Sequence, residues 1–137
     1  DKKDDVLSLS SHPVKTVRKD DTIVYAYEMM KKMKTSKIPV YDEMGYAGLI
    51  TLEEIAEWSM HEHDKKDTVL SILTERKNER VLFIRKDASI ETVMHSFESS
   101  LRHGTTLLAV LITAHGIKKE RPEGIITVAD LAKILSL

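Results

Sequence analysis

"GLITLEEI" (Gly48–Ile55) and "GIITVADL" (Gly124–Leu131) are the same strand-to-helix corner written twice, 76 residues apart. Each opens as a short apolar strand that reaches a threonine, Thr51 or Thr127. A helix pattern follows, with an acid three residues past the threonine, Glu54 or Asp130. A threonine in that place is a good N-cap, and an acid in the first turn suits the helix dipole.

The repetition extends outward from the corners. "VKTVRKDDTI" (Val14–Ile23) matches "VLFIRKDASI" (Val81–Ile90) 67 residues on, and "KTSKIPV" (Lys34–Val40) matches "GTTLLAV" (Gly104–Val110) 70 residues on. The offset grows only at helix ends and in the turn "ITAHGIKKERPE", where two copies of one unit tolerate insertion.

One copy reads as follows. Val14–Val17 is a short strand and Thr22 caps a helix running from Ile23 to about Lys34, with apolar Ile23, Ala26, Tyr27, Met30 and Met33 at helical spacing. Ile38–Tyr41 and Ala47–Thr51 pair as an antiparallel hairpin about the turn "DEMG". Leu52–His61 is the closing helix. The second copy gives Val81–Ile84, Ile90–Leu101, Thr106–Ile112, Gly124–Thr127 and Val128–Leu135. Between them "KKDTVLSILTE" (Lys65–Glu75) predicts a linker helix capped at Asp67 or Thr68. The expected fold class is therefore mixed α/β (α+β): two β-α-β-β-α motifs packed sheet to sheet with pseudo-two-fold symmetry. So small a sheet cannot bury its apolar face alone. The expected divisions are a lead-in over 1–9, beginning with the charged "DKKDD", a first motif over 10–64, and a linker with a second motif over 65–137.

Composition narrows the function. The chain has 137 residues, 42% hydrophobic and 31% charged, with a net charge of −1. That charge gives no general attraction to nucleic acid or anionic membranes. No stretch is apolar enough for a transmembrane segment, and none reads as a signal peptide. No cysteine is present, which removes disulfides, thiolate metal sites and a cysteine nucleophile. A cytoplasmic location is expected.

A strand that ends at a helix start presents unpaired amides and a positive dipole end, which attract phosphate. A carboxylate one turn in is placed to accept hydrogen bonds from two ribose hydroxyls. The same Thr-x-x-acid spacing also makes a capping box, so spacing alone leaves both readings open.

Both halves resemble the CBS motif, and the pair resembles a Bateman module. The resemblance is carried by "IVYAYEMMKKMKTSKIPVYDEMGYAGLITLEEI" and "IETVMHSFESSLRHGTTLLAVL…EGIITVADL" and covers about Ser10 to Leu135. It implies a non-catalytic regulatory module that binds an adenosine-containing ligand (AMP, ADP, ATP, S-adenosylmethionine or cyclic di-AMP) in two clefts between the motifs. It also implies a homodimer and an effector protein as partner. By carry-over, cleft one uses Thr127 at phosphate and Asp130 at ribose, with Ser10, Ser11, Val14, Lys15, Thr35, Ser36 and Lys37 around the base and phosphates. Cleft two uses Thr51 and Glu54 with Arg80, Val81, Leu82, Thr105 and Thr106. Two departures stand out. Glu54 replaces the usual Asp, and its extra methylene is expected to move the carboxylate about 1.5 Å outward, making cleft two the weaker. Ala109 stands where Pro is usual.

Outside these stretches, "HEHD" (His61–Asp64) offers two histidines and two acids at a helix end, either an exposed terminus or a metal-responsive site. Trp58 is a candidate dimer anchor or a core residue, and Met29, Met30 and Met33 form a core or contact face. No nucleophile elbow, zinc-helix motif or glycine-rich phosphate loop is present. The rival to a ligand sensor is a structural dimerisation module with vestigial clefts.

Overall fold

The repeated strand–turn–helix corners survive in the fold, each closing its own half. The structure is a computed structural model that describes residues 5–74 and 80–135. In order, the elements are α1 (Val6–Leu9), α2 (Ile23–Met33), β1 (Lys37–Asp42), β2 (Gly45–Thr51), α3 (Leu52–Ser59), β3 (Val81–Arg85), α4 (Ile90–Arg102), β4 (Ala109–Thr113), β5 (Gly124–Ile126) and α5 (Val128–Leu135). The architecture is mixed α+β. No helix among the described residues is long and apolar enough to cross a membrane.

The chain divides into two units, one of residues 15–75 and one of residues 1–14 with 76–137. In the first, α2 starts at Thr22, whose hydroxyl accepts the Tyr25 amide, and ends at Lys34 in a left-handed conformation. β1 and β2 form the expected antiparallel hairpin. Ile23, Ala26 and Met30 from α2 meet Ile38, Val40, Ile50 and Ile55 in the core, joined by Val17 and Val69.

Three expectations for this unit are corrected. The predicted strand Val14–Val17 is a single parallel bridge, Val17 to Val40. The Val17 amide donates to Pro39 O and Val17 O accepts from the Tyr41 amide. The next rung toward Lys15 would need an N–H on Pro39, which proline lacks. The linker helix is only a 3-10 turn, Val69–Ile72. Its amides serve distant partners: Val69 N donates to Asp21 O and Leu70 N to Lys19 O. Thr68 stands at its start without a side-chain capping bond. Glu75, the predicted end of that helix, lies outside the described residues. The closing helix α3 stops at Ser59, two residues before His61.

In the second unit β3 runs parallel to β4, and β5 is antiparallel to β4, as one expects of a β-α-β-β-α copy. β4 begins at Ala109, three residues later than predicted. The connection from β4 to β5 is closed by His115, whose ring and amide both bond to the Glu120 carboxylate. These bonds hold Glu120 down at about 2.

The second unit also takes in the start of the chain. Residues 6–9, expected within the lead-in, form a helical turn capped by the Asp5 carboxylate. Val6 is fully buried with Ile84, Val93, Phe97, Val110, Ile112 and Ile126. Beyond the turn, Ser11 pairs with Ile125 of β5 through both backbone groups, N to O at 2.9 Å and O to N at 3.1 Å. Residues 5–14 are thus a strap that meets β5 at Ser11 and, through Leu7 and Ser10, at Gly124. Gly124 is needed beneath it, because a Cβ there would fall on Ser10 Oγ and press on Leu7.

Replacing Gly124 by Ala should therefore lower stability by about 1–3 kcal/mol, the range for overpacking a closed contact. Urea unfolding measures this, and an unchanged midpoint would show that the strap does not lie on β5.

Candidate functional site

Asp130 is the second unit's one buried carboxylate among the described residues, 7% exposed on the first turn of α5. Three protein donors converge on it. The Thr127 amide (2.9 Å) and the Thr127 hydroxyl (3.2 Å) donate to Oδ2, and the Ser11 hydroxyl (2.8 Å) donates to Oδ1. The Thr127 amide is an orphan of the helix start, and the carboxylate satisfies it.

The first unit builds the same corner. Thr51 N and Oγ1 donate to Glu54 Oε1 at 3.0 and 3.1 Å, and the Glu54 amide returns a bond to Thr51 Oγ1 at 3.3 Å. This is a complete capping box. The longer side chain curls back to its N-cap. The Glu54 carboxylate therefore meets the N-cap amide as closely as Asp130 does, and the expected outward displacement does not occur. Glu54 Oε2 also lies 3.5 Å from Thr74 Oγ1. Thr74 stands ahead of Val81, where the second matched stretch begins, as Ser11 stands ahead of Val14, where the first begins.

The other predicted residues divide between the units. Ser10 and Val14 lie with Ser11, Thr127 and Asp130, whereas Lys15, Thr35, Ser36 and Lys37 lie in the first unit. The Ser10 side chain is buried and its hydroxyl donates to Leu7 O. Thr35 Oγ1 bonds the Lys37 backbone, and Ser36 O accepts the Leu52 amide at 2.8 Å, which places this turn at the start of α3. Lys15 is exposed. Of the second predicted set, Thr51 and Glu54 lie in the first unit and Arg80, Val81, Leu82, Thr105 and Thr106 in the second. There Arg80 Nε donates to Thr106 O at 2.7 Å, the Leu108 amide donates to Arg80 O, and Thr105 N bonds Ser100 O. Val81 is buried in β3 and Leu82 faces out.

Sequence reading did not pick out Thr74. The available signal was its place ahead of the second repeat. It also missed the role of Asp67, which accepts the Trp58 indole N–H at 2.9 Å and the Asp64 amide at 3.1 Å. The indole bond, then the Asp64 amide, holds the Asp67 carboxyl below its ordinary range. Trp58 is half-buried against the first unit's core, and the His63 ring lies against it, tilted by 45° with centroids 4.3 Å apart. His61 pairs with Glu57 at 3.0 Å. Among the described residues, no group of three or more His, Asp or Glu is arranged to hold a metal ion. An apolar groove of about 380 Å3 between α2 and α3, lined by Val24, Tyr27, Leu52, Ile55, Ala56, Trp58 and Ser59, contains none of the predicted site residues.

Known proteins share this fold. Residues 5–61 match the CBS domain family. Comparison with curated protein sequences yields no match. Among solved structures, the CBS domain pair of protein MJ0100, in complex with 5′-methylthioadenosine and S-adenosyl-L-methionine, superposes with a TM-score of 0.70 at 21% identity, covering 96% of this chain and 95% of that one. AcuB from Vibrio cholerae gives 0.72 at 13% identity, over 96% and 90% of the two chains. The CBS domain of the bacterial CNNM/CorC family Mg2+ transporter, in complex with ATP, gives 0.69 at 14% identity, over 98% and 88%. The chain has the fold of a CBS-domain pair, the Bateman module.

The Trp58–Asp67 bond carries a pH signature. A carboxyl depressed in the folded state adds stability that is full above its unfolded value, 3.8 here, and lost as pH falls through the lower folded value. The stability advantage of wild type over Trp58→Phe should shrink as pH drops below about 4. Acid unfolding curves of the two proteins test this, and parallel curves would remove Asp67 from the account.

Proposed function

We propose that this chain is a regulatory module that binds an adenosine-containing ligand and has no catalytic role of its own. Asp130 accepts the ribose hydroxyls, and the Thr127 corner meets the first phosphate or its equivalent through the amides that open α5. Lys15 and Lys37 supply charge toward phosphates, while Ser10, Ser11, Val14, Thr35 and Ser36 shape the remainder. AMP, ADP, ATP, S-adenosylmethionine and cyclic di-AMP all carry the required adenosine. The observation that carries this reading is the buried Asp130 carboxylate, aimed by Thr127 and Ser11 at the start of a helix. Its support from outside is that two similar structures hold adenosine compounds. Glu54 with Thr51 would be a second acceptor, completed by Arg80, Val81, Leu82, Thr105 and Thr106.

In this reading the ligand changes the module's preferred conformation, and an effector protein or a second copy of the chain reads the change. The exposed Val24, Tyr27 and Leu52 beside Trp58 are the surface we assign to a homodimer. A cytoplasmic setting, where such ligands are plentiful, fits the proposal.

One observation favours a rival reading. Every bond received by Asp130 from Thr127, and by Glu54 from Thr51, also serves helix capping, which a purely structural dimerisation module would need equally. Thermal unfolding with AMP, ATP, S-adenosylmethionine and cyclic di-AMP separates the two. A ligand at 100 times its dissociation constant should add about 2.7 kcal/mol. No shift with any of the four would favour the structural module. With the ligand that does bind, Asp130→Ala should weaken affinity by about 1.5–3 kcal/mol in calorimetry, and an unchanged affinity would move the sugar site elsewhere.

A further inference from the structure

The hydrogen bonds at Asp130 leave little room for a sugar. A carboxylate has about four acceptor positions, two on each oxygen. Oδ2 takes both the amide and the hydroxyl of Thr127, and Oδ1 takes the hydroxyl of Ser11. One position is left. A ribose offers two adjacent hydroxyls, so to accept both the carboxylate must give up one protein donor. The Thr127 donors are fixed by the turn that starts α5. Ser11 comes from 119 positions away in sequence and is itself exposed, so its hydroxyl passes to water when released. A donor that regains water leaves no unsatisfied group behind. Ser11 is the exchangeable partner.

We propose that the Ser11 hydroxyl is a latch that competes with the ligand's sugar for Asp130, and that its displacement loosens the strap of residues 5–14 from β5. The inference rests on Asp130 being the ribose acceptor. The strap is built to register the event. Ser11 bears the hydroxyl and also both backbone bonds to Ile125, so one residue links the corner to the strand pairing. Ser10 beside it packs on Gly124, and the turn of α1 beyond is seated by Val6. Occupancy at the corner is thereby passed to the segment that leads into the first repeat. The other unit has a looser version, since Thr74 approaches Glu54 at only 3.5 Å.

The test uses AMP and ATP, each against its 2′-deoxy form, with wild type, Ser11→Ala and Ser11→Thr. Removing the competing hydroxyl should tighten ribonucleotide binding by about 3- to 10-fold and change the 2′-deoxy forms by less than about twofold, while Ser11→Thr behaves as wild type. Equal effects on both sugars, or none, would overturn the latch. In parallel, amide hydrogen exchange at Ser11 and Ile125 should quicken several-fold in Ser11→Ala alone and in wild type on adding ribonucleotide. Unchanged exchange in Ser11→Ala overturns the coupling whether or not a nucleotide binds. Failure of wild type to bind either nucleotide would instead sink the nucleotide reading, and the exchange comparison would then decide Ser11's hold on β5 by itself.

Discussion

The bond between an N-cap amide and a carboxylate three residues on organises both halves of this chain. A strand that turns straight into a helix leaves the amides of that turn without partners. Thr51 with Glu54 and Thr127 with Asp130 solve the problem in the same way. The solution has a consequence beyond capping. It pins an acid at the mouth of a helix, where the backbone is polarised to receive negative charge. The position that stabilises the fold is then also the position from which a sugar would be held.

The second feature is where the lead-in to each repeat goes. Residues 5–14 precede the first repeat but fold onto β5 of the second, with Val6 in its core and Ser11 on Asp130. Residues 65–74 precede the second repeat but fold with the first, through Val69, the Trp58–Asp67 bond and the approach of Thr74 to Glu54. Each corner is visited by a lead-in from far away in sequence. Side chains from the lead-ins thus reach the two acids that local capping has already placed.

Local chemistry made most of the fold legible. α2 and α4 follow from caps at Thr22 and Ser89 and apolar positions at helical spacing, and the two corners follow from their shared wording. What escaped depended on partners distant in sequence. The strand at Val14–Val17 shrank to one bridge because the residue that should continue the ladder is Pro39. The linker helix is only a 3-10 turn, whose first amides bond Asp21 and Lys19. Glu54 defied a bond-length argument because a flexible side chain folds back when a good donor lies behind it. The acids and threonines of the candidate site were readable from spacing. The Ser11–Asp130 bond was not, since no local pattern relates positions 119 apart.

The central claim is that the Thr127–Asp130 corner receives a nucleoside. The most direct measurement is an amide NMR titration with the ligand identified by thermal shift. The account predicts saturable shifts at Thr127, Val128, Ala129, Asp130 and Ser11. Saturation of shifts confined to other residues, with these five unmoved, would contradict it.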